Sequence, residues 1–290
     1  MRIVTLATCH NRREKTLSAL NDLYAQELPE SVNVEHVLVD DGSTDGTAAA
    51  VAERFPDVEI VPGAGKLFWA GGMRYGWEQA VRGKMFDYLL VYNDDVRLET
   101  SALQQLLETS EEYGVDGGVA EHVVAGAFRS STRRETTYSG VVRTSRWNPL
   151  EFRRVDPLEK NYQIVDTINM NSCLLTKEAL AMVGFLSPFF HHSGADYEYG
   201  LKLRKSGGSV VLAPGYSGIC DRNYEQDEFI SNSSSLKDAY SKLLSIKNQP
   251  FRQRLSFFKR HGGRMWVVYF WAPYLKMPVI YLKQKLLKKI

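Results

Sequence analysis

The segment Tyr88-Leu89-Leu90-Val91-Tyr92-Asn93-Asp94-Asp95 is an apolar run that stops abruptly in one amide and two carboxylates. Five apolar residues rich in β-forming types, with no polar alternation, predict a strand buried on both faces. The pattern repeats upstream. Ile3–Ala7, His36–Val39 and Val58–Val61 are short β-rich runs, and helical patterns follow them over Arg13–Gln26, Thr44–Arg54 and Gly72–Arg82. A further helix is predicted over Thr100–Tyr113. Strands alternating with helices of this length imply βαβ units and a mostly parallel central sheet flanked by helices, an α/β fold. Ligands in such sheets sit outside the carboxyl ends of the strands, so polar residues just after strands are the candidates.

Downstream the pattern weakens. Residues 119–163 read as irregular connections and short antiparallel strands, with order returning in a strand over Asn169–Thr176. Helices are then predicted over Lys177–Val183 and Asp196–Lys205, and a strand over Ser209–Ala213 before Pro214-Gly215. Ser231-Asn232-Ser233-Ser234-Ser235 reads as a hinge before a C-terminal segment. The chain reads as a main unit over 1–224 (halves 1–115 and 116–224) and an extension over 225–290.

Four polar clusters follow the predicted strands or open a helix. Asp40-Asp41-Gly42-Ser43-Thr44 places two carboxylates where they can accept from a nucleobase N–H and ribose hydroxyls; alternatively Ser43 or Thr44 simply caps a helix. Gly71 and Gly72 permit close backbone approach to an anion at a helix start, with Arg74 as a phosphate contact; the alternative is a tight loop with Phe68 and Trp69 in the core. Asn93-Asp94-Asp95 offers oxygen ligands to a hard divalent cation such as Mg²⁺ or Mn²⁺. Asp196 and Glu198 are two apart and diverge on a helix, so one can serve as a base while the other is solvated. His191 and His192 point to opposite sides and read as structural or acceptor-side residues.

Composition narrows the classes. Hydrophobic residues are 44% and charged residues 24% of 290, as in an ordinary globular protein. A net charge of +2 argues against a nucleic-acid binder. Three dispersed cysteines suit neither a disulfide framework nor a zinc site and indicate a reducing compartment. Met1–Thr8 reads as a strand rather than a signal peptide, so a cytoplasmic location is expected. No glycine-rich fingerprint follows the first strand, which disfavours a dehydrogenase and a sugar nucleotidyltransferase.

In sequence order, Thr8-Cys9-His10-Asn11-Arg12, Val39–Thr47, Gly71–Gly76, Asn93-Asp94-Asp95 and Ala195-Asp196 together resemble family 2 glycosyltransferases of the GT-A fold. The resemblance spans about residues 1–224, and Phe68–Gly72 with Cys220–Asn223 suggest a bacterial cell-surface polysaccharide branch. It implies a nucleotide-diphosphate-sugar donor lined by Thr8, Asn11, Arg12, Asp40, Asp41, Gly71, Gly72, Arg74, Asn93 and Asp94. It implies Asp95 as metal ligand, Asp196 as the base that deprotonates a hydroxyl acceptor, and inversion at the anomeric carbon. The chain departs from the family at Asn93, an Asp in the family's DxD motif, at Ala195, a Glu in its ED motif, and at Cys220, a His in many relatives. Asp95 then becomes the principal metal ligand, and Cys220 a structural residue. A non-catalytic donor-binding subunit is the alternative these departures keep in play.

Met265–Leu282 is apolar and aromatic, interrupted by Pro273, Lys276 and Pro278, and followed by lysines. Two prolines and a central lysine favour lying at an anionic membrane surface over spanning it, at the inner face of the cell membrane; packing on the catalytic unit or a dimer partner is the alternative.

Overall fold

The computed structural model describes residues 1–222, 233–245 and 250–287. The first half comprises β1 (Arg2–Cys9), α1 (Arg13–Tyr24), β2 (Asn33–Asp40), α2 (Thr47–Arg54), β3 (Glu59–Pro62), α3 (Phe68–Ala80), β4 (Tyr88–Tyr92), β5 (Arg97–Leu98) and α4 (Ala102–Val115). Next come β6 (His122–Ala125), β7 (Phe128–Arg129), β8 (Thr136–Tyr138), β9 (Gly140–Arg143), β10 (Phe152–Arg154), β11 (Gln163–Ile164), β12 (Thr167–Ile168) and β13 (Ser172–Thr176). The chain continues through α5 (Lys177–Val183), α6 (Ala195–Lys205), β14 (Ser209–Leu212), β15 (Gly218–Ile219), α7 (Leu236–Leu243), α8 (Phe251–His261) and α9 (Trp266–Leu287).

The central sheet runs β11-β14-β6-β13-β4-β1-β2-β3. Strands β3, β2, β1 and β4 pair in parallel, β13 lies antiparallel between β4 and β6, and β14 is parallel to β6. Only β13 and the edge strand β11 therefore run against the rest. Each central strand is buried on both faces, which is why the sequence shows runs rather than alternation. Val4 and Leu6 of β1 enter one core, and Ile3 and Ala7 the other. Helices α1, α2 and α4 cover the second core; α3, α5 and α6 cover the first.

Helix α3 sits close on the sheet because its sheet-facing residues are glycines. A Cβ on Gly76 would come within 2.6 Å of Val39 and Leu6, and one on Gly72 would run into Thr8 Oγ1. The predicted start of this helix at Gly72 moves to Phe68, since Asp41 caps it there through backbone N–H groups.

Two other expectations change, and a third falls partly outside the described residues. His122–Ala125, within the stretch read as irregular connections and short antiparallel strands, is a strand of the central sheet, antiparallel to β13 and parallel to β14; with both faces buried it carries no alternation to detect. Asn169–Asn171 form a turn ahead of β13 instead of its first residues, which frees their amides for the site. Ser231 and Asn232 of the expected hinge lie outside the described residues, whereas Ser235 caps α7 by accepting from the Asp238 N–H at 3.1 Å. The C-terminal segment is packed on the first core, to which Phe257, Phe258 and Phe270 belong.

His36 on β2 accepts or donates at Nδ1 to Thr5 Oγ1 (3.0 Å) and stacks on Tyr24. Burial pushes its pKa down to about 4, the nearby Asp57 charge opposing. The unfolded chain binds this proton near pH 6.5 and the folded chain does not, so its stability is intact above pH 6.5 and is lost as pH falls towards 4. Urea unfolding at pH 7.5 and 5 should show about 2 kcal/mol more loss for the native chain than for His36→Gln. Equal pH slopes in the two proteins would remove His36 as the cause.

Candidate active site

The carboxyl ends of β1, β2 and β4, the Asn169–Asn171 turn, the start of α6 and the residue after β15 meet at one edge of the sheet. Arg12, just past β1, donates from Nη1 to Asp94 Oδ1 at 3.0 Å and to Asp95 Oδ2 at 2.9 Å. Asp94 is buried, and its Oδ2 has no partner among the described residues. Burial raises its pKa to about 6 against the pull of the Arg12 guanidinium, and the Asp95 charge adds to the rise. Asp95 is more open and is also approached by Cys220, whose Sγ lies 4.0 Å from Oδ1. Burial and the Asp95 charge push the Cys220 thiol up to about 12, so it remains a neutral thiol at neutral pH.

The third member of the β4 triad does something different. Asn93 Oδ1 accepts from Trp69 Nε1 at 2.8 Å, and its N–H donates to the Asn171 carbonyl at 3.0 Å. Asn93 thus locks α3 and the Asn169–Asn171 turn onto the end of β4. Trp69, which the sequence offered only as core filling, is a site residue by this bond. Asn171 also donates towards Cys220 Sγ at 3.5 Å, and Asn169 towards Asp196 Oδ2 at 3.4 Å. One turn therefore joins the surroundings of Asp95 to those of Asp196.

Asp41 is committed to the loop that follows β3. Its Oδ1 accepts from the Gly65 N–H at 2.7 Å, and Oδ2 from Leu67 and Phe68 at 2.8 and 3.2 Å. Three of about four lone-pair sites are used this way. Phe68 is held there at φ 56°, an uncommon value for a bulky residue, and its ring is exposed. Asp40 accepts from Ser43 N–H at 2.9 Å. Asn11, at φ 51°, accepts from Thr44 N–H at 2.7 Å and donates to Ser43 Oγ at 2.9 Å. Ser43 and Thr44 therefore tie β2 to β1 and do not cap α2, which begins at Thr47 after Gly46.

The remaining candidates are accounted for by packing. Gly71 and Gly72 are buried inside α3, Gly72 against Thr8. Arg74 Nη1 donates to the carbonyls of Ser187 and Phe190 at 2.9 and 2.6 Å, fastening α3 to the loop before α6. The His191 carbonyl accepts from Ala70 N–H at 3.0 Å, reinforcing that junction.

Asp196 opens α6 behind Gly194 in the left-handed conformation. Desolvation raises its pKa above the ordinary carboxylate range, with the Tyr197 N–H and Asn169 amide drawing it partly back. Such a carboxylate is a stronger base than a solvated one. Glu198, expected to be solvated, is instead buried and ion-paired with Arg260 Nη1 of α8 at 3.1 Å, with His261 Nε2 3.8 Å away. Burial works to raise its pKa, but His261, Lys202 and Arg260 hold it lower than usual. The two acids do diverge, and only Asp196 faces the site.

A strand-end site with an acidic pair on β4 and a lone desolvated carboxylate at α6 fits group transfer from a phosphorylated donor. The family model described as "Glycosyl transferase family 2" matches residues 6–177, more than half of the chain. The chain belongs to glycosyl transferase family 2. It is a glycosyltransferase of the GT-A fold. It is 26% identical over 219 residues to the N-acetylglucosaminyl-diphospho-decaprenol L-rhamnosyltransferase of Mycobacterium tuberculosis (strain CDC 1551 / Oshkosh), covering 69% of each chain. Solved structures agree on the fold. S. aureus TarS (residues 1–349) superposes with TM-score 0.52 at 14% identity, covering 88% of this chain and 68% of that one. GalNAc-T7 with UDP, GalNAc and Mn²⁺ gives 0.59 at 12% identity, over 84% and 47%. The mannosyltransferase PcManGT from Pyrobaculum calidifontis with GDP-Man and Mn²⁺ gives 0.51 at 16%, over 83% and 64%.

Proposed function

We propose that this glycosyltransferase moves a hexosyl or deoxyhexosyl unit from a nucleotide-diphosphate donor to a hydroxyl of a lipid-linked, cell-surface glycan precursor. The observation that carries the reading is the junction of Asp94–Asp95 with Asp196 through the Asn169–Asn171 turn. It gives one edge of the sheet both an acidic pair for a metal–diphosphate and a desolvated base. The rhamnosyltransferase relative, whose substrate is borne on decaprenol, supports the acceptor class and work at the cytoplasmic face of a membrane.

The residues fit a hard divalent cation such as Mn²⁺ or Mg²⁺. Asp95 has an accessible carboxylate, and Asp94 keeps an orphaned buried oxygen beside it. Asp95 would hold the ion with support from Asp94, and the bound ion would neutralise charge on the departing diphosphate. Arg12 already occupies both carboxylates, so its cation can turn to the diphosphate as they are taken up elsewhere. Thr8, Asn11, Asp40 and Asp41 frame the nucleoside end, and Asn93 keeps Trp69 in place beside it. Gly71, Gly72 and Arg74 act one step back, by seating α3 on the sheet and on the acceptor-side loop.

The reaction is a single displacement. The acceptor oxygen forms a bond to the anomeric carbon while the bond to the diphosphate breaks, and Asp196 takes the hydroxyl proton. In-line attack inverts the anomeric configuration. Because Asp95 is a lone strong ligand, metal and donor should bind together. In a thermal-shift panel of nucleoside diphosphates, Mn²⁺ alone should shift the midpoint by under about 1 °C, and Mn²⁺ with the preferred diphosphate by about 3 °C or more. Additive shifts, with no gain from combining them, would overturn the coupled site.

A further inference from the structure

An enzyme that works on a lipid-linked acceptor has to present a defined face to the bilayer. Helix α9 carries two apolar faces. Phe270, Tyr274, Met277 and Tyr281 point inward, where Tyr240 Oη–H donates to the Tyr274 carbonyl at 2.7 Å and Phe251 packs on Phe270. On the other side Val268, Trp271, Leu275, Val279, Leu282 and Leu286, spaced three and four apart, are 46–74% exposed. No helix among the described residues is long and apolar enough to cross a membrane.

A second element extends this stripe. The turn between β9 and β10 holds Trp147, which is 83% exposed, with exposed Arg146 beside it. The turn is fixed to the start of α9, because Tyr269 Oη–H donates to the Trp147 carbonyl at 2.7 Å. Gly263 lies against Pro149 at the same junction.

Charge selects the occupant. Residues 239–290 contain 12 Lys and Arg and no Asp or Glu; the 24 Lys and Arg of residues 1–238 face 34 Asp and Glu, a net −10. Two copies meeting through this face would bring like charges together, whereas an anionic bilayer complements both the lysines and the aromatic stripe.

We propose that the Trp147 turn and the outer face of α9 form one two-element surface that seats on an anionic phospholipid bilayer, with Trp147 entering the interface beside the helix. This rests on the lipid-linked acceptor reading above. The elements next to both brace the first turn of α6, which carries Asp196: Phe152 of β10 packs edge-on to Tyr197 at 5.4 Å, and Arg260, on the helix against which α9 packs, pairs with Glu198. Seating the surface therefore fixes the height of Asp196 above the lipid.

The test is co-sedimentation of the full chain with phosphatidylcholine vesicles, with and without about 30 mol% phosphatidylglycerol. Trp147→Ala should weaken binding to the anionic vesicles about fivefold, and Leu275→Glu with Val279→Glu at least about tenfold; the Mn²⁺–diphosphate thermal shift should be retained in both. Loss in the helix variant with native binding by Trp147→Ala overturns the two-element surface while leaving the membrane reading intact. Failure of the native chain to bind any vesicle overturns both. A native dimer that Leu275→Glu with Val279→Glu dissociates, without vesicle binding, assigns the face to a second copy and also overturns the proposal.

Discussion

Asp196→Asn should lower sugar transfer at least about 1,000-fold while leaving donor affinity within about twofold. The substitution keeps the shape of the side chain and its neighbour Asn169, but removes the carboxylate proposed to take the acceptor proton. The size of the effect follows from the environment. Desolvation makes this carboxylate a stronger base than the ordinary one, and no other acid at the start of α6 can replace it, since Glu198 is buried against Arg260. Donor hydrolysis by water should fall less than transfer, because the proposed metal–diphosphate end is untouched. Initial rates of transfer, read alongside diphosphate-induced thermal shifts, check both halves. Native transfer rates in Asp196→Asn would move the base elsewhere.

Asp95→Ala is expected to cut transfer about 100- to 1,000-fold and to abolish the extra thermal shift that Mn²⁺ adds to the diphosphate. Arg12 would keep Asp94 as its partner, so the apo protein should unfold within about 1 °C of the native chain. The exposed half of the Arg12 bridge contributes little to stability by itself. This separation of activity from stability is what marks Asp95 as a ligand. A comparable loss in folding stability would instead make it a structural acid.

The parallel half of the sheet was legible because β1, β2 and β4 are buried on both faces and so write themselves as apolar runs. The polar residues at their ends stood out for the same reason: Asp40, Asp41 and Asn93–Asp95 interrupt those runs. What each polar residue does was far less visible. Asp41 looked like a donor contact, yet most of its oxygen capacity is used on Gly65, Leu67 and Phe68, residues more than twenty positions away. Gly72 looked like a phosphate approach and is the seat of α3 on Thr8. Asn93, a departure from the family pattern, turns out to accept from Trp69, a partner that no spacing rule connects to it. The Asn169–Asn171 turn was hidden in a predicted strand, since turn and strand differ there only in how β13 pairs.

The C-terminal segment shows the same limit from the other side. Its apolar and basic character was plain, and packing and membrane contact read as alternatives. The structure packs one face of α9 on the protein and leaves an equally apolar face outward, because side chains three and four apart share one side of a helix and the segment carries two such sets.

The most direct measurement is transfer itself. The purified chain with Mn²⁺ is given nucleotide-diphosphate-activated L-rhamnose or hexoses and an N-acetylglucosaminyl-diphospho-polyprenol in anionic vesicles, and the extracted lipid is read by mass spectrometry. The expected result is a lipid product heavier by one sugar, present with the native chain and absent with Asp196→Asn. Coupled metal and diphosphate binding with no sugar reaching any lipid-linked acceptor would contradict it.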